Sequence, residues 1–194
     1  MVNYDHPRSH IALLLTVALG LVACSDELGR DIPRPSSPIE VALIDLVDGP
    51  LDRANALNLV AGRGFSAPRV TRVDNTNEWD YAFAVVDGEP AWLPRGFFDG
   101  IELSAGIRVM QMDFEDVELV PPDEESYELE QPLPATVGTT YALRSRTDPA
   151  LSLPCHVFAK MVVDSIVGDP ARVWFRVLWN PNCDNNNVTP GVTD

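Results

Sequence analysis

The stretch CHVFAKMVVDSIVGDPARVWFRVLW, residues 155–179, decides the fold. Val173, Phe175, Val177 and Trp179 alternate with Arg172, Trp174, Arg176 and Leu178. Successive side chains of a strand point to opposite faces, so the first set is predicted to face a core. Gly168-Asp169-Pro170 supplies turn residues between this run and the apolar run Cys155–Val167, which predicts an antiparallel hairpin. A three-residue loop from Val167 to Ala171 sets a register in which paired residue numbers sum to 338, and Cys155 with Cys183 meets the same sum. Directly opposed antiparallel residues have Cα atoms about 4.5–5.5 Å apart, a span that a disulfide bridges. Such a bridge closes a loop of about 27 residues and stabilises by roughly 3 kcal/mol in the chain-entropy picture.

Upstream of the hairpin, Val137–Arg146 reads as a strand, and apolar residues arrive in short bursts separated by turn signals. Asp87-Gly88 is a two-residue hairpin turn between Trp79–Val86 and Glu89–Pro94. It pairs Val86 with Glu89, Val85 with Pro90 and Phe83 with Trp92. Ile39–Val47 reads as a strand, Arg69–Val73 alternates weakly, and Pro50–Gly62 fits either a short helix or a strand. Ile107–Val120 is β-like, with Met110, Met112 and Phe114 on one face and a phase slip at Glu115-Asp116 that suggests a bulge or turn. Seventeen prolines and twelve glycines in 194 residues oppose a helical bundle. The expectation is an all-β fold, an antiparallel β-sandwich-like single domain with a C-terminal β-hairpin.

At the other end of the chain, Ile11–Val22 is a twelve-residue run without charge, too short to span a bilayer as a helix and suited to a secretory signal. It leads into Leu21-Val22-Ala23-Cys24, which resembles the lipobox of bacterial lipoproteins. That resemblance implies cleavage before Cys24 and acylation of Cys24, with plain secretion after Ala23 or an uncleaved anchor as the alternatives. By analogy with Gram-negative lipoproteins, Ser25 favours the outer membrane over retention. The expected organisation is a signal peptide over 1–23, a lipid-anchored Pro-rich linker over 24–38, a β-rich domain over 39–183 and a flexible Asn-rich tail over 184–194. With Cys24 lipidated, Cys155 and Cys183 are left as a pair in an oxidising compartment.

The net charge of −15 argues against nucleic acid, and against attraction to anionic lipid, so the membrane is engaged through the lipid anchor only. Nine acids lie between Asp113 and Glu130, and no basic residue occurs between Arg108 and Arg144. Such a run is a solvated loop, a cation site or a docking place for a basic partner. Asp123, Glu124 and Glu125 are the candidate Ca²⁺ ligands, although they lack the glycine and alternating pattern of an EF-hand.

Trp79-Asp80-Tyr81-Ala82-Phe83, Gly138-Thr139-Thr140-Tyr141-Ala142-Leu143-Arg144 and Phe158-Ala159-Lys160 together resemble segments of the haem-binding lipoproteins of the HmuY type. The resemblance implies a lipid-anchored all-β domain and, in members that bind haem, axial His or Met ligands. Here the mature chain offers His156, Met110, Met112 and Met161. His156 and Cys155 are sequence neighbours, which puts them on opposite faces of a strand and not in a catalytic dyad. Metal-site spacing, P-loops and nucleophile elbows are missing from the sequence. The expectation is therefore a non-catalytic envelope lipoprotein with no cofactor, structural or engaged with another envelope protein. The alternative is a lipoprotein that captures haem or another small ligand.

Overall fold

The computed structural model describes residues 31–75, 78–101, 105–147 and 155–191. The expected signal peptide, Cys24 and the first part of the linker lie outside the described residues, as do residues 192–194 of the expected tail. Among the described residues no helix is long and apolar enough to cross a membrane.

Two five-stranded antiparallel sheets make the sandwich. The first runs in the order β1 (Ile39–Ile44), β10 (Arg172–Asn180), β9 (Phe158–Val167), β8 (Thr140–Arg144), β6 (Gly106–Val109). The second runs β3 (Arg69–Thr71), β2 (Ala56–Asn58), β4 (Tyr81–Val86), β5 (Glu89–Pro94), β7 (Leu133–Pro134). The core lies between them. Val173, Phe175, Val177 and Trp179 of β10 all enter it, as their alternation predicts, and join Leu43, Leu57, Phe83, Trp92, Tyr141 and Met161. Trp92 sits at its centre, edge-on to Phe83, Tyr141 and Phe175 at 5.7, 6.4 and 5.1 Å between ring centroids.

The β4–β5 hairpin has the expected register, Val86 to Glu89, Val85 to Pro90 and Phe83 to Trp92. Asp87 and Gly88 both have positive φ, 53° and 86°, which a type I′ turn requires. The C-terminal hairpin reaches its expected register by a different route. Arg172 pairs with Val167, so the loop holds four residues and the numbers first sum to 339. A bulge between Trp174 and Phe175 then leaves Asp164 unmatched, and from Phe175–Val163 onward the sum is 338. The loop is one residue longer than expected, and the bulge absorbs the difference. Cys155 and Cys183 thereby come to disulfide-bonding distance, with Cα atoms 5.4 Å apart.

Other segments depart from expectation. Within Pro50–Gly62 the strand alternative holds, as β2 over Ala56–Asn58; residues 50–55 form turns and no helix, and a 3₁₀ turn over Val60–Gly62 follows the strand. Ile107–Val120 is a strand only as far as Val109, and a 3₁₀ turn occupies Phe114–Asp116, where the phase slips. The segment read as a flexible tail is packed as far as Gly191. Val188 is fully buried, and its N–H donates to Glu118 O at 2.8 Å. The Asn-rich segment is instead tied down: Asn186 Nδ2 donates to Val120 O, and Asn187 O accepts from Asn180 Nδ2 at the end of β10. The domain also starts earlier than residue 39. Ile32 exchanges two hydrogen bonds with the Asn182 side chain, and Gly191 N–H donates to Pro35 O.

Candidate functional site

Two sets of polar side chains carry the chemistry of the domain. The first stitches the sheets together. Asp80 precedes β4 and is fully buried. Its Oδ2 accepts from Leu59 N at 2.6 Å and Val60 N at 3.2 Å, and its Oδ1 from Arg146 N at 2.8 Å. The Arg146 guanidinium lies 3.0 Å from the same carboxylate. A buried carboxylate is tolerated where a countercharge and several donors replace its water, and Asp80 has both. The Tyr81 hydroxyl reaches across to Arg144 O at 2.6 Å and Gly106 O at 2.9 Å, and burial raises its pKa far above the usual phenol range. From the opposite sheet, Tyr141 Oη donates to Pro134 O at 2.7 Å. Arg95 lies over Trp79, 4.9 Å from the ring, and donates to Trp79 O, while burial pulls its pKa down. Asp80 and Tyr141, which carried the family resemblance, are thus seam residues of the sandwich, whereas Trp79 packs with Ala56, Ala82, Ala84 and Leu93 in a separate cluster.

The second set lies on the outer face of the first sheet. Alternation puts Arg108, Arg144, Lys160 and Arg176 there together, with Ala142, Phe158, Val162 and Leu178. The acidic stretch lies across this face. Phe114 packs on Val162 and Leu178, while Val117, Val120 and Tyr127 pack on Ala142, Phe158 and Val188. Buried residues recur at 114, 117 and 120 and the carboxylates between them are exposed, a period of three. Gly106 marks where the stretch crosses β6, since a Cβ there would lie 2.5 Å from Tyr127 Cβ.

Each of the four basic residues is engaged by this cover. Lys160, the chain's only lysine, is 1% exposed. Its Nζ donates to Val117 O at 2.8 Å and sits 4.8 Å over the Phe114 ring. Burial lowers its pKa, and Glu115, Glu118 and Asp116 act against that. Arg176 faces Glu115 at 3.6 Å, Arg144 Nη1 lies 2.9 Å from Glu124 Oε2, and Arg108 donates to Ser126 O at 3.4 Å. Glu128 turns its Oε1 onto the N–H groups of Glu130, Gln131 and Leu129, and those bonds hold its pKa below the usual carboxylate range.

The residues singled out from sequence are dispersed over these two sets. His156 lies beside the cover: its Nδ1 donates to Ser145 O at 2.7 Å, and Arg144 Nη2 donates to its Nε2 at 2.7 Å. Both ring nitrogens are therefore occupied, and neither is open to a haem iron. Met161 is buried between the sheets, Met110 packs beneath the cover, and Met112 is 49% exposed. The candidate haem ligands do not form one constellation. Of the candidate Ca²⁺ ligands, Glu124 pairs with Arg144, and all three carboxylates are exposed. Among the described residues no group of three or more His, Cys, Asp or Glu side chains is placed to hold a metal ion. Sequence reasoning passed over Arg146, Arg95 and the cover's period of three. The last was available, but strand and α-helix templates test periods of 2 and 3.6 only.

Searches against family models, curated proteins and solved structures find no match to the chain.

Proposed function

We propose that the protein is a cell-envelope lipoprotein, anchored to the outer membrane by acyl chains on Cys24, whose β-sandwich plays a non-catalytic structural or protein-interaction role. The sequence Leu21-Val22-Ala23-Cys24 behind an apolar run supports the anchor. Two acyl chains give stable attachment where one gives only marginal binding. One observation carries the non-catalytic reading: Asp80, Arg146, Lys160, His156 and both Nη atoms of Arg144 are spent on holding sheets and cover together. The space between the sheets is filled by aromatic and aliphatic side chains. What such a molecule offers to others is its surface. In an oxidising envelope Cys155 and Cys183 form the disulfide that their spacing permits.

The anchor is tested by growing cells with labelled palmitate. The intact protein is expected to take up label and to sediment with membranes, and Cys24→Ser to do neither. Label on the serine variant, or an unlabelled soluble wild type, contradicts the proposal.

A further inference from the structure

The cover protects only part of the first sheet's outer face. Among the described residues nothing covers the face past Arg176, and Trp174 stands there 42% exposed while Trp79, Trp92 and Trp179 are buried. Its cross-strand neighbours are Ala42 on β1 and Ser165 on β9, so no bulky side chain leans on the indole from either adjacent strand. A cleft opens on each side of it. One, of about 280 Å³, is walled by Glu40, Asp164 and Arg176. The other, of about 410 Å³, is walled by Arg172, Asp169 and Pro50. The β-bulge falls at this point and sets both Asp164 and Ser165 against the single residue Trp174. The Asp164 carboxylate there accepts from Arg176 Nε at 3.0 Å. A lone surface tryptophan is ordinary; this indole stands beside a bulge, between two clefts whose walls mix the charged side chains with Val41, Phe175, Ile44, Val167 and Pro170.

We propose that Trp174 and its two clefts form a binding face for a neutral glycan chain. One face of a pyranose ring presents C–H bonds of slight positive polarity, which rest on the electron-rich face of an indole. Its ring hydroxyls both donate and accept, and planar carboxylate and guanidinium groups meet them in pairs. The walls come close to electrical balance, with Glu40, Asp164 and Asp169 against Arg172 and Arg176, in a chain whose net charge is −15. Such a patch exerts little long-range pull on a polyion but offers directed donors and acceptors to an uncharged ligand. Two clefts flanking one ring suit consecutive sugar units better than a single one. The proposal is independent of the lipid anchor.

The intact protein in detergent is titrated with cellohexaose, mannohexaose and chitohexaose to about 10 mM, enough to saturate a site with a Kd of about 1 mM. Because Trp174 is the exposed indole, at least one sugar is expected to shift tryptophan emission to the blue, saturably. By calorimetry Trp174→Ala should weaken that sugar about tenfold or more, an effect of the size of one lost stacking contact. Trp174→Phe should retain part of the affinity, and Asp164→Asn should lose less than Trp174→Ala. Near-UV circular dichroism checks that the variants stay folded. Three sugars that leave wild-type emission unchanged overturn the proposal, as does equal affinity in Trp174→Ala. A Pro-rich decapeptide that shifts the emission when no sugar does overturns it as well.

Discussion

The interior of the sandwich and the cover on its outer face are held by different means. Between the sheets, packing of β-branched and aromatic side chains around Trp92 is joined by Asp80, a buried charge with four donors. On the outer face the apolar contact is thin, Phe114, Val117, Val120 and Tyr127, and basic side chains from the sheet complete the attachment. Of the nine carboxylates that dominate the local charge, Glu124 and Glu115 face Arg144 and Arg176, while Lys160 and Arg108 donate to the cover's backbone at Val117 O and Ser126 O. A run of like charge can thus be a fixed element when its partners come from distant strands.

Substitutions in the core and in the cover should act differently. Asp80→Ala removes the countercharge of Arg146 and the acceptor of three backbone N–H groups, and should lower stability by about 3–5 kcal/mol in urea denaturation. Phe175→Ala, beside Trp92, should cost a comparable 3–5 kcal/mol or so and unfold the whole domain more readily. Val117→Ala in the cover removes two methyl-sized groups, roughly 1.5 kcal/mol of burial, and should speed amide exchange in 113–130 far more than in β9 and β10. Equal acceleration in all three would erase the distinction between cover and core.

Two smaller effects follow from pH. Glu128 is more acidic in the folded protein than unfolded, so its contribution is complete above its ordinary value and disappears as pH falls through the folded one. The cover should therefore loosen on acidification before the core does, and Glu128→Gln should remove that step in an acid titration followed by amide exchange. Lys160 behaves oppositely. Its folded pKa is lowered by burial, so the unfolded chain binds its proton more tightly and stability rises as pH climbs from the folded value towards the ordinary 10.5. Lys160→Met should flatten that alkaline rise in thermal melts. Smallest of all, Glu124→Gln, which keeps an oxygen acceptor for Arg144 and changes a carboxylate that is itself half exposed, should alter stability by less than about 1 kcal/mol.

The sandwich was legible because period-two alternation is a local property: Val173, Phe175, Val177 and Trp179 could be assigned to a core without knowing what they touch. The Asp87-Gly88 hairpin was legible for the same reason, a turn dipeptide that fixes register by its own backbone preference. Bulges leave no such mark. Nothing in Val163-Asp164-Ser165 announces the extra residue, so the C-terminal loop was read one residue short while the cysteine pair came out right. The cover stayed hidden because its partners are distant in sequence. Val117 O meets Lys160 across 43 positions, and Val120 meets Asn186 across 66. The Asn-rich end was read from composition, which registers its polarity but not the buried Val188 within it.

Residues 113–130 form a fixed cover, and amide exchange of the intact protein reads this out residue by residue. Four N–H groups hold the cover to its surroundings: Val120 to Asn186 O, Val188 to Glu118 O, Glu128 to Ile107 O and Ile107 to Glu128 O. Near neutral pH, where Glu128 is ionised, all four should exchange more slowly than the unfolded chain by a common factor smaller than that of the core amides of β9 and β10. Raised salt should shrink that factor without reaching the core, because exposed ion pairs are screened and the interior is not. Exchange of Val120, Glu128 and Val188 at unfolded-chain rates, with β9 and β10 still protected, would show a loop that does not rest on the sheet and would contradict the account.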